Sequence, residues 1–477
     1  MKYTLSNLSR AAFESKLALV SATVLCCFAL SCSHPPAPRM DGKQIEHDQG
    51  TLPPWDDEGI PLPSDEVETP RETPLFRPGG DVVRIGLSTG NERIEVRAEC
   101  PIEILDLRGK SYGRDLGPGR IRISRARRGL VLDGPGFDAL GVPGRGVLLR
   151  GKKGEACFSS GGNVYTGDAL IEHQADGRLA LVNVVDLESY LRGVIPWEIG
   201  RPGKESMEAV KAQAIAARTY TVAHLGRREE LGFDLWDNVA DQVYRGMTGV
   251  SEVTDRAVAE TRSQILRYEG KIVQAYYCST CGGHTSAIQD VWPREAVPYL
   301  QGVRDAPEGE SSWCKESPHF RWTMAWSARE LGEIIRAHLP TEVDPRLSAR
   351  QVGVLQGLQV LERDRSGRVR RLRVKTSTGS WEVVGDRIRW VLRPPRGRFE
   401  ILRSTLFSLQ EYRDEEGNLI GVRVQGGGNG HGIGMCQSGA LAMARAGRSS
   451  EQILQHYYPG TQLESLRGGR EEWARAR

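Results

Sequence analysis

The sequence predicts an α+β protein, and three stretches of different character support this class. Alternating apolar and polar runs broken by glycine extend from Val82 to about Val164, which is typical of β-strands joined by tight turns. An Ala-rich run from Glu205 to Leu225 carries apolar residues at helical spacing. A second alternating region, from about Phe320 to Val424, has turn signals at 364–367 and 415–418. Strands and helices therefore occupy mostly separate parts of the chain.

Length and charge limit the number of domains and the classes of partner that the chain can have. At 477 residues it exceeds an ordinary single domain, and its formal charge of +3 gives no case for a nucleic-acid partner. We predict a signal peptide at 1–32, a disordered Pro-rich acidic tether at 33–78, a small β domain at 79–164, a mixed core at 165–465 with a β-rich insert at about 320–424, and a charged tail at 466–477.

The N-terminus has the features of an export signal. Lys2, Arg10 and Lys16 precede an apolar stretch, Leu17 to Leu30, that is too short to span a bilayer comfortably. Small residues then lead to Cys32, as in the bacterial lipoprotein cleavage box, which predicts a lipid anchor on that cysteine. Plain secretion is the alternative. In both cases the mature protein lies outside the cytoplasm, at the cell envelope.

The segment that follows is predicted to be an extended tether. Residues 33–78 hold ten of the 25 prolines, and acidic residues far outnumber basic ones between Asp41 and Glu72. Such a composition cannot bury enough apolar surface to offset its ordering entropy.

A single carboxylate, Glu198, has a prominent position in the sequence. It follows Pro196-Trp197 and precedes the breaker Gly200-Arg-Pro-Gly203, just before the predicted helix. Such a residue can present an acid to a substrate. It can equally be a solvated turn residue or a partner of the helix dipole, and its position alone does not separate these interpretations.

Six short blocks occur in order between about Tyr165 and Gly460. They are Val184 to Glu198, Glu208 to Tyr220, Asp241 to Gly246, Ser279 to Thr285, Pro298 to Leu300, and Asn429 to Ala440. Together they resemble the stage II sporulation protein D (SpoIID) and LytB amidase-enhancer family. The resemblance implies a SpoIID-like mixed core, to which this chain adds an N-terminal β domain and an inserted β-rich region.

The resemblance implies a bacterial cell-wall protein that acts on peptidoglycan. Sporulation members of the family are lytic transglycosylases, which cleave glycan strands between N-acetylmuramic acid and N-acetylglucosamine and leave a 1,6-anhydro sugar. Their catalytic glutamate corresponds to Glu198. A hydrolysing glycosidase usually needs two carboxyl groups, whereas here the muramic acid's own 6-hydroxyl attacks and one residue suffices. The neighbouring Ile195, Trp197 and Ile199 are expected to raise its pKa by desolvation.

Two binding functions remain as alternatives. LytB-type relatives are described as enhancers, so the protein is alternatively a non-catalytic enhancer that binds the cell wall or an N-acetylmuramoyl-L-alanine amidase and stimulates it. A purely structural wall-binding module is the third interpretation. The predicted partners are thus peptidoglycan glycan strands, a cell-wall amidase and, through the lipid anchor, the membrane.

Several polar residues in the matched blocks are candidate substrate-binding groups. The glycine cluster at 426–434 lacks the spacing of a nucleotide-binding loop, and it is expected to form a tight turn that places a histidine in the cleft. Each candidate has the alternative of being an ordinary exposed or structural residue. The candidates are Gln213, Arg218, Tyr220, Gln242, Tyr244, His431 and Gln437.

The sequence requires no cofactor for this chemistry, but it leaves a zinc site open. Some sporulation members bind zinc through a Cys and a His-Cys pair, and this chain has Trp236, Ala240 and Asp241 at those places. The family zinc site is therefore predicted to be absent.

The cysteines themselves allow two interpretations. An exported protein meets an oxidising compartment, which favours disulfides, with Cys281 to Cys314 and Cys100 to Cys157 as the predicted pairs. Cys278 and Cys436 either pair or remain free. The alternative is a zinc site, whose ligands in the sequence are Cys278, Cys281, His284 and Cys314.

Overall fold

The computed structural model describes residues 82–151, 156–395 and 401–468. The predicted signal peptide with Cys32, the predicted tether and most of the predicted charged tail lie outside these ranges. Within the described ranges, no helix has the length and apolar character needed to cross a membrane.

The first part of the described chain consists of strands. They form a seven-stranded sheet of order β13-β1-β12-β11-β8-β3-β4 and a six-stranded sheet of order β10-β9-β2-β5-β6-β7. All the pairings are antiparallel except that of β1 with β13. The strands are β1 (Val82–Asn91), β2 (Arg93–Ala98), β3 (Ile102–Asp106), β4 (Ser111–Leu116), β5 (Gly119–Ala126), β6 (Gly129–Gly134), β7 (Phe137–Pro143), β8 (Gly146–Arg150), β9 (Ala156–Ser160), β10 (Asn163–Thr166), β11 (Asp168–His173), β12 (Leu179–Asp186) and β13 (Leu235–Trp236).

The two sheets share one hydrophobic core. In β2 the buried residues Ile94, Val96 and Ala98 alternate with exposed ones, which is the period of a half-buried strand. They belong to the same buried cluster as Val83 and Ile85 of β1, in the other sheet. The β layers also extend past the predicted boundary at residue 164, because β11 pairs with β8, and β12 pairs with β1 and β11.

The remaining elements mix helices and short strands. The helices are α1 (Leu187–Glu198), α2 (Met207–Ala223), α3 (Glu252–Glu260), α4 (Ile288–Val291), α5 (Ala328–Val343), α6 (Arg387–Val391), α7 (Gln437–Arg445) and α8 (Ser450–Tyr457), with 3-10 turns at Lys204–Ser206, Glu229–Leu231, Pro298–Leu300, Trp313–Glu316 and Ala349–Val352. The strands are β14 (Gln264–Tyr268), β15 (Lys271–Ile272), β16 (Tyr277–Cys278), β17 (Trp322–Ser327), β18 (Leu355–Arg363), β19 (Val369–Thr376), β20 (Gly379–Val384), β21 (Phe407–Arg413), β22 (Leu419–Gly426), β23 (Met435–Cys436) and β24 (Gln462–Ser465).

Several local predictions are confirmed. The Ala-rich run forms α2, and the turn signals at 364–367 and 415–418 lie between β18 and β19 and between β21 and β22. Ser449 and Gln452 form a capping box at the start of α8. β14 and β15 form a short hairpin around Glu269-Gly270, and β16 pairs elsewhere, with β23.

The predicted insert has a hydrophobic cluster of its own. The sheets β17-β22-β21 and β18-β19-β20 pack with α5 and α6, and their buried residues run from Trp326 to Val424. Arg368 joins this region to the preceding segment. Its fully buried guanidinium donates to the backbone carbonyls of Cys281 and His284.

A buried ion pair joins α1 to α2. Arg218 of α2 is fully buried, and its guanidinium donates to both carboxylate oxygens of Glu188 on α1, at 2.9 and 2.7 Å. It also donates to the carbonyls of Val258 and Gln264. The pair therefore links α1 and α2 with α3 and β14.

Replacement of Arg218 by alanine tests the importance of this ion pair. The change leaves the Glu188 carboxylate without its partner in a mostly buried place, so we expect Arg218→Ala to lower the free energy of unfolding by about 3–5 kcal/mol. Urea denaturation followed by tryptophan fluorescence measures the loss. The control is Arg329→Ala, which removes an exposed pair with Glu333 and should change stability by less than about 1 kcal/mol. Equal effects of the two variants would contradict the role assigned to Arg218.

Candidate active site

Glu198 is the last residue of α1, a helix that begins directly at the end of β12. The Asp186 side chain caps this helix by accepting a hydrogen bond from the Ser189 N–H at 3.0 Å. The last turn is fixed by Trp197, whose indole N–H donates to the carbonyl of Thr248 at 2.8 Å. Gly200 then adopts a positive φ of 79° and ends the helical path. The strand and the cap together determine where the carboxyl group lies.

The Glu198 carboxyl group is half-buried and is held by two neutral donors. Its Oε1 accepts a hydrogen bond from the backbone N–H of Val243 at 2.7 Å, and its Oε2 lies 3.5 Å from the Gln437 amide nitrogen. Burial raises the pKa of Glu198 to about 7, and the two hydrogen bonds oppose the rise. No cation among the described residues contributes to this shift. Both protonation states are therefore accessible near neutral pH.

Two of the predicted glutamines lie next to Glu198. The Gln437 amide nitrogen is also 3.4 Å from Oε1 of Gln213, a fully buried residue on α2. The Gln213 amide nitrogen has no hydrogen-bond partner within the described chain. A buried donor without a partner costs about 1–3 kcal/mol, so this group is suited to meet a ligand oxygen.

Gln242 lies behind the carboxyl group in a buried network. Its amide nitrogen donates to the hydroxyls of Thr221 and Tyr190, and its carbonyl oxygen accepts from the Tyr277 hydroxyl at 2.7 Å. The network fixes the residue immediately before Val243. Burial raises the pKa of Tyr277, and the nearby negative charge of Glu198 raises it further.

Three other predicted residues are engaged within the core and make no contact with Glu198. Arg218 is paired with Glu188, as described above. The Tyr244 hydroxyl donates to the Asn183 side chain at 2.8 Å, and the Tyr220 hydroxyl donates to Asp241 at 3.3 Å. All three side chains are buried. Within the described ranges, the hydrogen bonds named here join these side chains to other residues of the protein.

His431 lies in the glycine-rich loop, as expected, but its contacts are with aromatic residues and backbone. Its Nδ1 accepts a hydrogen bond from the Ile433 N–H at 3.0 Å, and its ring centroid is 4.9 Å from that of Trp292. Burial lowers the pKa of His431 to about 4, so the ring is neutral at neutral pH. The close turn requires glycine, because a Cβ at Gly434 would meet the Tyr276 carbonyl oxygen at 1.9 Å.

Trp236 and Asp241, two of the three residues at which the resemblance predicts no zinc ligand, lie next to each other. Asp241 is a buried carboxylate that pairs with Arg227 at 3.1 Å and Arg228 at 2.9 Å. It also accepts a hydrogen bond from the Trp236 N–H. The two guanidinium groups supply the positive charge at this place.

The cysteine predictions need correction. None of the six cysteines of the described ranges forms an S–S bond, so the structure contains neither predicted disulfide, Cys281 to Cys314 or Cys100 to Cys157. The sulfurs of Cys281 and Cys314 lie 3.7 Å apart, well beyond the S–S bond length of about 2.05 Å.

The alternative zinc ligands do not come together as a set either. His284 is turned to the Thr285 carbonyl, and neither His284 nor Cys278 belongs to the group of converging ligand atoms. That group consists of Cys281, Asp305, Cys314 and Cys436, all buried. The short Cys-x-x-Cys-x-x-His spacing does not predict this set, because Cys436 lies 155 residues beyond Cys281 and Asp305 is not part of the motif.

Val243 and Tyr277 were missed at the sequence level. Val243 acts through its backbone N–H, which every residue but proline carries, so no side-chain signal exists. Tyr277 ends an apolar run that predicts a strand, and nothing there distinguishes a functional tyrosine from a packed one.

Comparison with known proteins places the site in a family context. Residues 175–268, which contain α1, Glu198 and α2, match the family model described as stage II sporulation protein. Residues 308–434 match a domain of unknown function, DUF8618. The first match covers the elements that carry Glu198 and Gln213, and the second covers the insert.

Relatives of known sequence match over most of the chain. It is 30% identical over 325 residues to an uncharacterized protein of Brachyspira hyodysenteriae, covering 68% of this chain and 78% of that protein. It is 32% identical over 296 residues to the amidase enhancer of Bacillus subtilis, covering 58% of this chain but only 40% of that protein. It is 29% identical over 299 residues to the stage II sporulation protein D of Bacillus subtilis, covering 59% of this chain and 75% of that protein. Residues 175–268 of the chain therefore form a stage II sporulation protein D domain, and the chain is similar over more than half of its length to proteins named amidase enhancer and stage II sporulation protein D.

Proposed function

We propose that this protein is a peptidoglycan lytic transglycosylase in which Glu198 acts first as the acid and then as the base. The observation that carries the proposal is the state of the Glu198 carboxyl group. It is half-buried, it is held by a backbone N–H and an amide, and its pKa is raised to about 7. A carboxyl group with that pKa can donate a proton and take one back at neutral pH.

The reaction needs only this one titrating group. Protonated Glu198 gives its proton to the glycosidic oxygen as the bond from C1 of N-acetylmuramic acid to that oxygen breaks. The 6-hydroxyl of the same muramic acid attacks C1, and the glutamate carboxylate takes the hydroxyl proton as the new C1–O6 bond forms. Glu198 therefore ends the reaction protonated, as it began, and no water is incorporated into the product. Val243 holds Oε1 at 2.7 Å, so we assign proton transfer to Oε2, which is held less firmly.

The residues around Glu198 suit a sugar substrate. The unpartnered amide nitrogen of buried Gln213 and the loosely held Gln437 amide offer donors for hydroxyl or acetamido oxygens. Trp197 is half-buried beside Glu198, with the guanidinium of Arg201 5.8 Å from its ring centroid. The Trp197 ring, next to this cation, provides a surface on which a sugar ring can pack. Gln242 is assigned a positioning role, since it precedes the residue that binds Glu198.

The second candidate function is that of a non-catalytic enhancer. It is favoured by one observation, the 32% identity to the amidase enhancer of Bacillus subtilis. In that case the protein binds the cell wall or an N-acetylmuramoyl-L-alanine amidase. Export and a lipid anchor on Cys32 would place either function at the cell envelope, on glycan strands outside the cytoplasm.

The raised pKa of Glu198 has a consequence for stability. The folded protein keeps this proton up to about pH 7, whereas the unfolded chain releases it near 4.5. Wild-type stability therefore falls as the pH rises from the unfolded value through the folded one, and Glu198→Gln escapes this loss. We expect the stability of the variant relative to wild type to grow by on the order of 1 kcal/mol across this range, after allowance for solvent screening of a partly exposed group.

Urea denaturation at a series of pH values measures this difference. The matched control is Glu205→Gln, which alters an exposed carboxylate seven residues further along the chain. Its difference from wild type should stay constant with pH. A flat difference for Glu198→Gln would contradict the raised pKa.

Product analysis tests the reaction itself. Purified protein is incubated with peptide-free glycan strands, and anhydromuramyl ends are sought by mass spectrometry. We expect these ends from wild type and Glu205→Gln, and a loss of roughly a thousandfold or more in rate for Glu198→Gln, which has no proton to exchange. The wild-type rate should fall as the pH rises through about 7, since the acid must be protonated for the first step.

The other outcomes distinguish the alternatives. A product that survives Glu198→Gln would keep the enzyme but refute the role of this residue. Absence of anhydro ends from every variant would refute catalysis. The enhancer function would then be tested by adding a cell-wall amidase and measuring whether wild type and Glu198→Gln stimulate it equally.

A further inference from the structure

We propose that Cys281, Cys314, Cys436 and Asp305 bind a structural zinc ion. One ligand atom from each residue lies within 4.8 Å of all the others, and all four side chains are buried. The Cys281 and Cys314 sulfurs are 3.7 Å apart. A tetrahedral ion with Zn–S bonds of about 2.3 Å separates two of its sulfur ligands by about 3.8 Å. The observed spacing is therefore that of two thiolates on one ion.

The four ligands come from separate parts of the chain. Cys281 follows β16, Asp305 lies in the loop after the turn at Pro298–Leu300, Cys314 lies in the turn Trp313–Glu316, and Cys436 is the N-cap residue of α7. No two of them are held together by a tight local turn. Convergence of three sulfurs and a carboxylate from such distant segments needs a common partner, which an ion supplies.

The surroundings of the cluster suit deprotonated sulfur. Cys436 Sγ accepts hydrogen bonds from the backbone N–H groups of Cys281 and Gly439, at 3.2 and 3.3 Å. Cys281 Sγ accepts another from the Gly283 N–H at 3.4 Å. These donors orient the sulfurs and stabilise negative charge on them, as outer-shell groups do in metal sites.

Asp305 is oriented in the same way. Its Oδ1 accepts a hydrogen bond from the Tyr457 hydroxyl at 2.6 Å, which leaves Oδ2 directed to the sulfurs, 3.1 Å from Cys281 Sγ. The carboxyl group is fully buried, and no basic side chain of the described ranges pairs with it. A buried carboxylate needs a compensating charge, and a divalent cation at this place provides it.

The donor set selects the metal. Thiolates are soft ligands, and a closed, roughly tetrahedral set of three sulfurs and one oxygen suits zinc better than calcium, magnesium or manganese. With four protein ligands and no open position, the ion is structural rather than catalytic. A single disulfide would instead leave one thiol unpaired beside the carboxylate.

The proposed zinc site lies next to a residue that contacts Glu198. Cys436 immediately precedes Gln437, whose amide nitrogen lies 3.5 Å from the Glu198 carboxyl group. The ion would fix the start of α7 and thus the position of this amide. The proposal stands on the cluster alone and does not depend on the reaction assigned to Glu198.

Metal analysis and thiol counting test the proposal directly. The mature protein, purified from its export compartment without added chelator, should hold one zinc per chain after dialysis, with the cluster thiols reduced. Cys314→Ser and Cys436→Ser should lower the zinc content roughly tenfold or more. The matched control is Cys278→Ser, a buried cysteine next to the cluster but outside it, which should keep its zinc.

A spectroscopic measurement on wild type avoids the risk that a variant fails to fold. Zinc X-ray absorption should give three sulfur ligands at about 2.3 Å and one lighter ligand at about 2.0–2.2 Å. Metal-free protein with a Cys281–Cys314 disulfide would overturn the proposal. Zinc loss from Cys278→Ser equal to that from Cys436→Ser, in correctly folded protein, would overturn it as well.

Discussion

The buried ion pair between Glu188 and Arg218 is the interaction on which the geometry of the candidate site depends. It joins the helix that ends in Glu198 to the helix that carries Gln213. Neither functional residue is on a loop, so their separation is set by how α1 and α2 pack. Because Arg218 also binds carbonyls of α3 and β14, a shift of one helix would strain all four elements.

Two opposing effects meet at Glu198. Burial favours the neutral acid, whereas the hydrogen bond from the Val243 N–H favours the carboxylate. A stronger donor, such as a paired arginine, would keep the group ionised, and complete burial without donors would keep it protonated. The structure has neither, and the balance leaves the carboxyl group close to the midpoint of its titration at neutral pH. Gln437 provides a weak further contribution, at the long end of hydrogen-bond distances.

Much of the fold could be predicted from the sequence, and more of it than of the site. Periodicity and turn chemistry predicted α2 and the insert hairpins, because these features depend on neighbouring residues. The pairing of β1 with β12 crosses the predicted boundary at residue 164, and such pairing between distant segments leaves no local signal in the sequence. For the same reason the sequence gives no sign that Arg218 pairs with Glu188.

The insert leaves and rejoins the core at almost one point. Cys314 lies just before it and Cys436 just after it, and their sulfurs belong to one buried group. A domain whose two ends lie together can be acquired, exchanged or enlarged without changing the path of the host chain. Sequence divergence within the insert is therefore compatible with an unchanged arrangement around Glu198. Relatives that differ in this region are better compared through the segment that holds α1 and α2.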